Sequence, residues 1–213
     1  MKHFEAEPAA AEQIFGPQIG LARQYAQKLA NDSDELGLLG PRELDKIWSR
    51  HILNSAVVAE LVEPGQKVAD VGSGAGLPGI PMAIAAPKTH FVLIEPMERR
   101  ANWLQEVVSE LDLKNVEVVR TRAEEASRQQ FDVVTARAVA ALDKLLRICV
   151  PLLVSGGSVI ALKGSKAQEE IEQARKLQKK LKIKDFEILM CGEKFLAEPT
   201  SVVKTRLDSS GEK

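Results

Sequence analysis

The sequence predicts an open α/β fold, a doubly wound and mostly parallel sheet with a helical extension at its N-terminus and an antiparallel C-terminal edge. Three observations predict it. Short apolar β-rich runs alternate with helical stretches between residues 67 and 163; the first 65 residues contain helical spacing and no strand-like run; and after Leu181 the alternation gives way to two strand-like runs with no helix between them. The length of 213 residues suits one full-sized domain with an appendage. A composition of 45% hydrophobic, 28% charged and 4% aromatic residues excludes a disordered or low-complexity chain.

The N-terminal extension, 1–65, reads as two or three helices from the spacing of Ile14, Ile19, Leu21, Tyr25 and Leu29, then Leu44, Ile47, Trp48, Ile52, Leu53 and Val57. The segments 31–34 and 37–41 punctuate them, with Pro41 suited to the first position of a following helix. The domain proper, 66–207, is read from strands at 67–71, 91–95, 116–119, 131–134 and 158–162 and helices at about 77–86, 98–111, 142–153 and 166–182. All these strands but the third are nearly continuously apolar, as strands covered on both faces of a parallel sheet are. Residues 186–190 and 201–205 read as an antiparallel edge hairpin, and 208–213 as a frayed tail.

Charge and cysteines narrow the function classes. Lys+Arg at 29 against Asp+Glu at 30 gives a net charge of −1, so any nucleic-acid contact has to come from a local patch. The run 163–184 supplies one, with eight Lys or Arg against three Glu. Its acids lie early and its bases late, which also suits an ordinary helix dipole. Arg99, Arg100, Arg120 and Arg122 could extend a basic rim. Cys149 and Cys191 have neither the spacing nor the His neighbours of a zinc site, and read as buried thiols; no metal is expected. No run approaches the ~18 apolar residues of a membrane helix, and the start carries acids and Pro8 where a signal peptide needs apolar residues. A cytoplasmic protein without a membrane partner is expected.

In this fold class ligands bind beyond the carboxyl ends of the strands. There stands the run from Val68 to Gly79, an apolar strand followed by Gly72, Gly74, Gly76 and Gly79. Glycines permit the tight strand-to-helix reversal and close approach of a ligand to the backbone. Residues 74–79 also spell the G-x-G-x-x-G of nicotinamide enzymes, a weak signal by itself. Three details favour a cationic nucleoside over a pyrophosphate. Asp70 places a carboxylate two residues before the first glycine, where it would repel a pyrophosphate. Glu95 ends the next strand, 21 residues after Gly74, at the spacing of a ribose acceptor. Ala123 and Glu124 follow the third strand, where a carboxylate and a backbone N–H can read an adenine edge. Together these point to S-adenosylmethionine. Arg137, after the fourth strand, can hold a carboxylate or a phosphate.

The stretches Arg50-His-Ile-Leu-Asn-Ser55, Asp70-Val-Gly-Ser-Gly-Ala-Gly-Leu-Pro-Gly-Ile-Pro81, Arg122-Ala-Glu-Glu125, Phe131-Asp-Val-Val134, Ala136-Arg-Ala138 and Leu162-Lys-Gly164 resemble the small-subunit (16S) rRNA guanine-N7 methyltransferases, the glucose-inhibited division protein B family. Order and spacing match along roughly residues 20–205, and the two prolines after the glycine turn are the most specific part. Gly37 to Glu43 stands where many members carry Trp-Asn and Asn-Leu-Thr segments, which resembles an actinobacterial-type branch. The resemblance implies a class I S-adenosylmethionine-dependent (Rossmann-like) methyltransferase fold and 16S rRNA, within the 30S subunit or its precursor, as partner. It implies cofactor contacts at Gly72, Leu77, Ala123, Glu124 and Arg137; Asp70, Gly74 and Glu95 come from the argument above. Arg50, His51 and Lys163 are candidate RNA contacts, although a His beside Ile52 and Leu53 is as readily a packing residue. No catalytic acid or base is assigned, because guanine N7 carries its lone pair in the ring plane and needs no deprotonation. The competing readings are a small-molecule methyltransferase, a nicotinamide-dependent oxidoreductase, and a non-catalytic cofactor-sensing or ribosome-binding protein. Oligomeric state is not legible.

Overall fold

The computed structural model describes residues 4–40, 42–128, 130–137 and 140–209. The readings of Pro41 as a helix start and of 210–213 as a frayed end lie outside the described residues. Seven strands form one sheet in the order β3-β2-β1-β4-β5-β7-β6. β1 (Lys67–Val71), β2 (His90–Ile94), β3 (Val116–Val119), β4 (Phe131–Arg137) and β5 (Leu153–Leu162) are parallel; β6 (Ile183–Cys191) and β7 (Thr200–Leu207) pair as the antiparallel edge hairpin the sequence predicts. The chain order reverses beside β1 and β4, which puts a crevice at their carboxyl ends.

Side chains alternate between the faces of the central strands. Val68, Phe91, Leu93, Val133 and Ile160 point into one core; Ala69, Val71, Val92, Ile94, Val134 and Val159 point into the other. The first core is closed by α1 (Ala10–Phe15), α2 (Ile19–Leu36), the helical segment 44–61, α4 (Gly79–Ala85) and α5 (Glu98–Glu110). The second is closed by α6 (Leu142–Cys149) and α7 (Ala167–Ala174). The N-terminal helices thus share a continuous apolar core with α4 and α5. Their Trp48, Ile52 and Leu53 are no less buried than the strands. Both cysteines are buried thiols, and burial pushes both above the ordinary thiol value.

The largest differences from the sequence reading lie in three stretches. The helix begun at Leu142 ends at Cys149, ahead of Pro151, and β5 starts at Leu153 instead of Ser158. The chain is already paired to β4 at Phe131↔Leu153, and Gly156 and Gly157 sit at the irregularity that resets the register. The helix begun at Ala167 stops at Ala174 and tightens into a 3₁₀ turn to Leu177, where 166–182 had been expected. Finally, 44–61 is not one α-helix. It passes through a 3₁₀ turn, a π-helix (Ile47–Leu53), the short α3 (Asn54–Ala56) and a second 3₁₀ turn (Val57–Leu61).

Candidate functional site at the carboxyl ends of β1, β2 and β4

The glycine turn is built as its sequence demands. Gly72, Gly74 and Gly76 have φ of 69°, 57° and 81°, values that L side chains rarely adopt. The N–H of Gly72 donates to the Ile94 carbonyl at 2.9 Å, tying the turn to β2. Gly79 serves another purpose. A Cβ there would overlap Leu93 Cδ2 and Asp70 Oδ2, so its bare Cα lets α4 press onto the sheet. Over Gly74, by contrast, a Cβ would approach nothing closer than the Gly72 carbonyl oxygen at 3.8 Å and Arg100 Nη1 at 3.9 Å. That open space above the turn is where a ligand can rest on the backbone.

Asp70 differs from its expectation. Its carboxylate lies fully buried beneath the turn, with Oδ2 accepting the Gly79 N–H at 3.0 Å and Oδ1 without a hydrogen-bond partner. Burial is the main cause that pushes its pKa up to about 7, with the nearby negative charge of Glu95 acting in the same direction. The N–H groups at the start of α4 are engaged internally, Gly79 by Asp70 and Ile80 by the Gly76 carbonyl, so they do not face a ligand as expected.

Glu95 sits where the spacing places it. It is 3% exposed, and its two oxygens accept from the N–H of Gly74 and the N–H of Met97, both at 2.9 Å. Each oxygen keeps a second lone pair for a hydroxyl. Ala123 and Glu124 open a 3₁₀ turn beyond β3, the first buried and the second exposed. Leu77 is buried beside the turn, and its peptide bond to Pro78 is cis.

Arg137 ends β4, but its guanidinium turns toward the N-terminal extension. Nη1 donates to the Ser55 hydroxyl at 3.2 Å and the His51 carbonyl at 3.4 Å, while Nη2 lies 2.7 Å from His51 Nδ1. His51 is 5% exposed, and its Nε2 meets Glu43 Oε2 at 2.7 Å. Of the three candidate RNA contacts, then, Arg50 alone is exposed, with Nη1 3.3 Å from Glu43 Oε1. Lys163 is held by Glu170 at 2.8 Å and the Ala140 carbonyl at 2.7 Å; the same Glu170 oxygen accepts the Leu142 N–H. That lysine ties Ala140, just ahead of α6, to α7.

Sequence reasoning missed two members of the site. Tyr25 was read only as an apolar helix position, yet its hydroxyl donates to the Ala75 carbonyl at 2.6 Å in the core, pinning the glycine turn to α2. Being the chain's single tyrosine was the one available signal. Glu43 lay in the stretch where the resemblance departs, eight residues before His51, a distance no regular helix would bridge. The basic rim is partly engaged: Arg99 and Arg100 donate to the carbonyls of Leu36 and Gly37, and Arg120 to Glu98. In the run 163–184, Lys166, Arg175, Lys176, Lys179, Lys180, Lys182 and Lys184 are exposed, descending from the mouth of the sheet to its opposite end, where β6 begins. No group of three or more His, Cys, Asp or Glu stands ready to hold a metal among the described residues. Likewise, no helix among them is long and apolar enough to cross a membrane.

The model of the rRNA small subunit methyltransferase G family matches residues 18–200, the span carrying every motif above. The chain belongs to that family. Similar proteins bear the same name, Ribosomal RNA small subunit methyltransferase G. One from Mycolicibacterium gilvum is 51% identical over 209 residues, covering 95% of this chain and 92% of the relative; one from Leifsonia xyli is 53% identical, covering 94% and 96%. Among solved structures, M. jannaschii TYW2 in complex with AdoMet superposes with a TM-score of 0.59 at 20% identity, over 75% of this chain and 76% of that one. A SAM-dependent O-methyltransferase from Thermotoga maritima gives 0.56 at 17% identity, over 80% and 72%. At such identities the likeness is one of fold, the Rossmann-like sheet of class I S-adenosylmethionine-dependent methyltransferases, as the sequence predicts.

Proposed function

We propose that this chain, a family rRNA small subunit methyltransferase using S-adenosylmethionine, methylates N7 of a guanine in 16S rRNA, acting in the cytoplasm on the 30S subunit or its precursor. The observation that carries the reading is the glycine turn with acids on both sides of it. Open space over Gly74, an orphaned buried carboxylate oxygen on Asp70 and a Glu95 with lone pairs to spare suit a cationic nucleoside and disfavour a pyrophosphate. That arrangement, with family membership, sets aside the nicotinamide reading.

Gly72, Gly74 and Leu77 form the floor, Glu95 accepts from the ribose, and Ala123 and Glu124 read the adenine. The fork of Arg137 holds an oxyanion at the far side. When bound, S-adenosylmethionine would supply an electrophilic methyl on a cationic sulfur to the lone pair of guanine N7. Because that lone pair is free, the residues of this chain move no proton; their work is to align and to exclude water. Asp70 and Glu95 make the site tolerant of positive charge.

An aromatic content of 4% gives few platforms for stacking bases, and the exposed Arg50 and the cations of 166–184 contact phosphates instead. Recognition thus depends on a preformed ribosomal surface. Tritium transfer to 30S subunits should far exceed that to a naked transcript, and mass mapping should place N7-methylguanosine in 16S rRNA. Equal activity on an unrelated short RNA would contradict the proposal.

A further inference from the structure

The π-helix carrying Arg50 and His51 is rare in kind, and such segments gather at functional sites. Here it leaves the His51 carbonyl to accept from the Ser55 hydroxyl at 2.6 Å and from Arg137 Nη1 at 3.4 Å. A guanidinium only donates, so the His51 Nδ1 facing Arg137 Nη2 at 2.7 Å carries no proton. The imidazole is therefore neutral with its hydrogen on Nε2, where Glu43 Oε2 accepts it at 2.7 Å. The groups facing the ring are consistent. Burial and the Arg137 cation from β4, with Arg50 from its own turn, hold His51 below its ordinary pKa against the opposing pull of Glu43. Residue His51 thus grips the end edge of the guanidinium, carbonyl on one nitrogen and ring on the other. Among the described residues no hydrogen bond engages Arg137 Nε, which leaves the Nε/Nη2 edge as a two-pronged donor.

We propose that Glu43 and His51 are positioning residues that clamp one edge of Arg137 so that its other edge forms a preset fork for an oxyanion at the mouth of the sheet, a carboxylate or a phosphate. The inference rests on the reading of that mouth as a methyl-transfer site. Two sources fit the fork: the carboxylate of the cofactor and a phosphate of the RNA. A fixed fork binds either bidentately, whereas an unbraced Arg137 would lose that alignment.

The test compares full-length wild type, H51L, H51N and E43Q. Cofactor Kd is read by calorimetry with S-adenosylhomocysteine, and kcat and KM with 30S subunits; thermal midpoints are recorded alongside. Leu removes the acceptor, whereas Asn restores an oxygen near the position of Nδ1. H51L should weaken one binding constant about tenfold, and H51N should stay within about threefold of wild type. A rise in cofactor Kd assigns the fork to the carboxylate; a rise in KM for 30S subunits assigns it to phosphate. If H51L does not fold, histidine nitrogen NMR carries the test, since the chain has only three histidines. It should show His51 protonated on Nε2 alone at pH 7, with its titration moved to lower pH in E43Q. A proton on Nδ1, or folded H51L with both constants unchanged, overturns the proposal. No transfer to 30S subunits by wild type would overturn the functional reading instead.

Discussion

Replacing Asp70 by Asn tests the electrostatics at the foot of the site. In the folded chain Asp70 Oδ1 is buried without a partner and the pKa stands at about 7, against 3.8 for the free side chain. The folded state therefore binds a proton more tightly than the unfolded state. The stability this contributes is complete below about pH 4 and is lost as pH rises through 7. With those two values the loss between pH 5 and pH 8 amounts to about 2–3 kcal/mol, or roughly 5–10 °C in midpoint for a chain of this size. Asn cannot ionise, so D70N should lack this component; packing and hydrogen-bond changes shift its curve by an amount independent of pH. Urea unfolding of both proteins at pH 5, 6, 7 and 8 isolates the difference, because every other titrating group is common to the pair. Wild type should lose ground to D70N from pH 5 to pH 7 and level off toward pH 8. Parallel curves would refute the account of Asp70 as a buried, solvent-excluded carboxyl.

Other outcomes follow from the same geometry. A cationic cofactor favours the ionised form of Asp70, so S-adenosylmethionine affinity should rise about tenfold from pH 6 to pH 8, and calorimetry should find D70N flat. Tyr25→Phe leaves the Ala75 carbonyl unpaired in the core; urea unfolding should show a loss of about 1–2 kcal/mol with an unchanged m-value. Gly79→Ala drives a methyl into Leu93 and Asp70 and should cost about 1–3 kcal/mol by the same assay, whereas a neutral result would mean that α4 can lift off the sheet.

Much of the site was legible because its signals are local. A glycine with positive φ, an acid at the end of an apolar strand and a proline pair after a turn carry their reasons in their immediate neighbours. Gly72, Gly74 and Glu95 accordingly lie where spacing alone places them. The strands at 67–71 and 116–119 have the predicted limits, the first a mostly apolar run buried between the two cores and the second a short β-branched run at the sheet edge. The strand at 153–162 begins five residues before the predicted 158–162, because pairing with β4, distant in sequence, carries it across Gly156 and Gly157.

The partners of the charged side chains were not legible. Residues 86 apart in the chain, Arg137 and His51, meet only because the sheet carries β4 to a face that the N-terminal helices cover. The same packing buries His51, while α4 closes over Asp70 beneath the turn and α7, on the other face, brings Glu170 to Lys163. By itself the sequence determined the sheet, the glycine turn and the family's chemistry, all of which rest on periodicity and backbone conformation. Tertiary structure alone decided which charges face the crevice and which are neutralised by a neighbour. Burial and pairing depend on elements distant in sequence, and they set whether an ionisable group binds, braces or holds a proton.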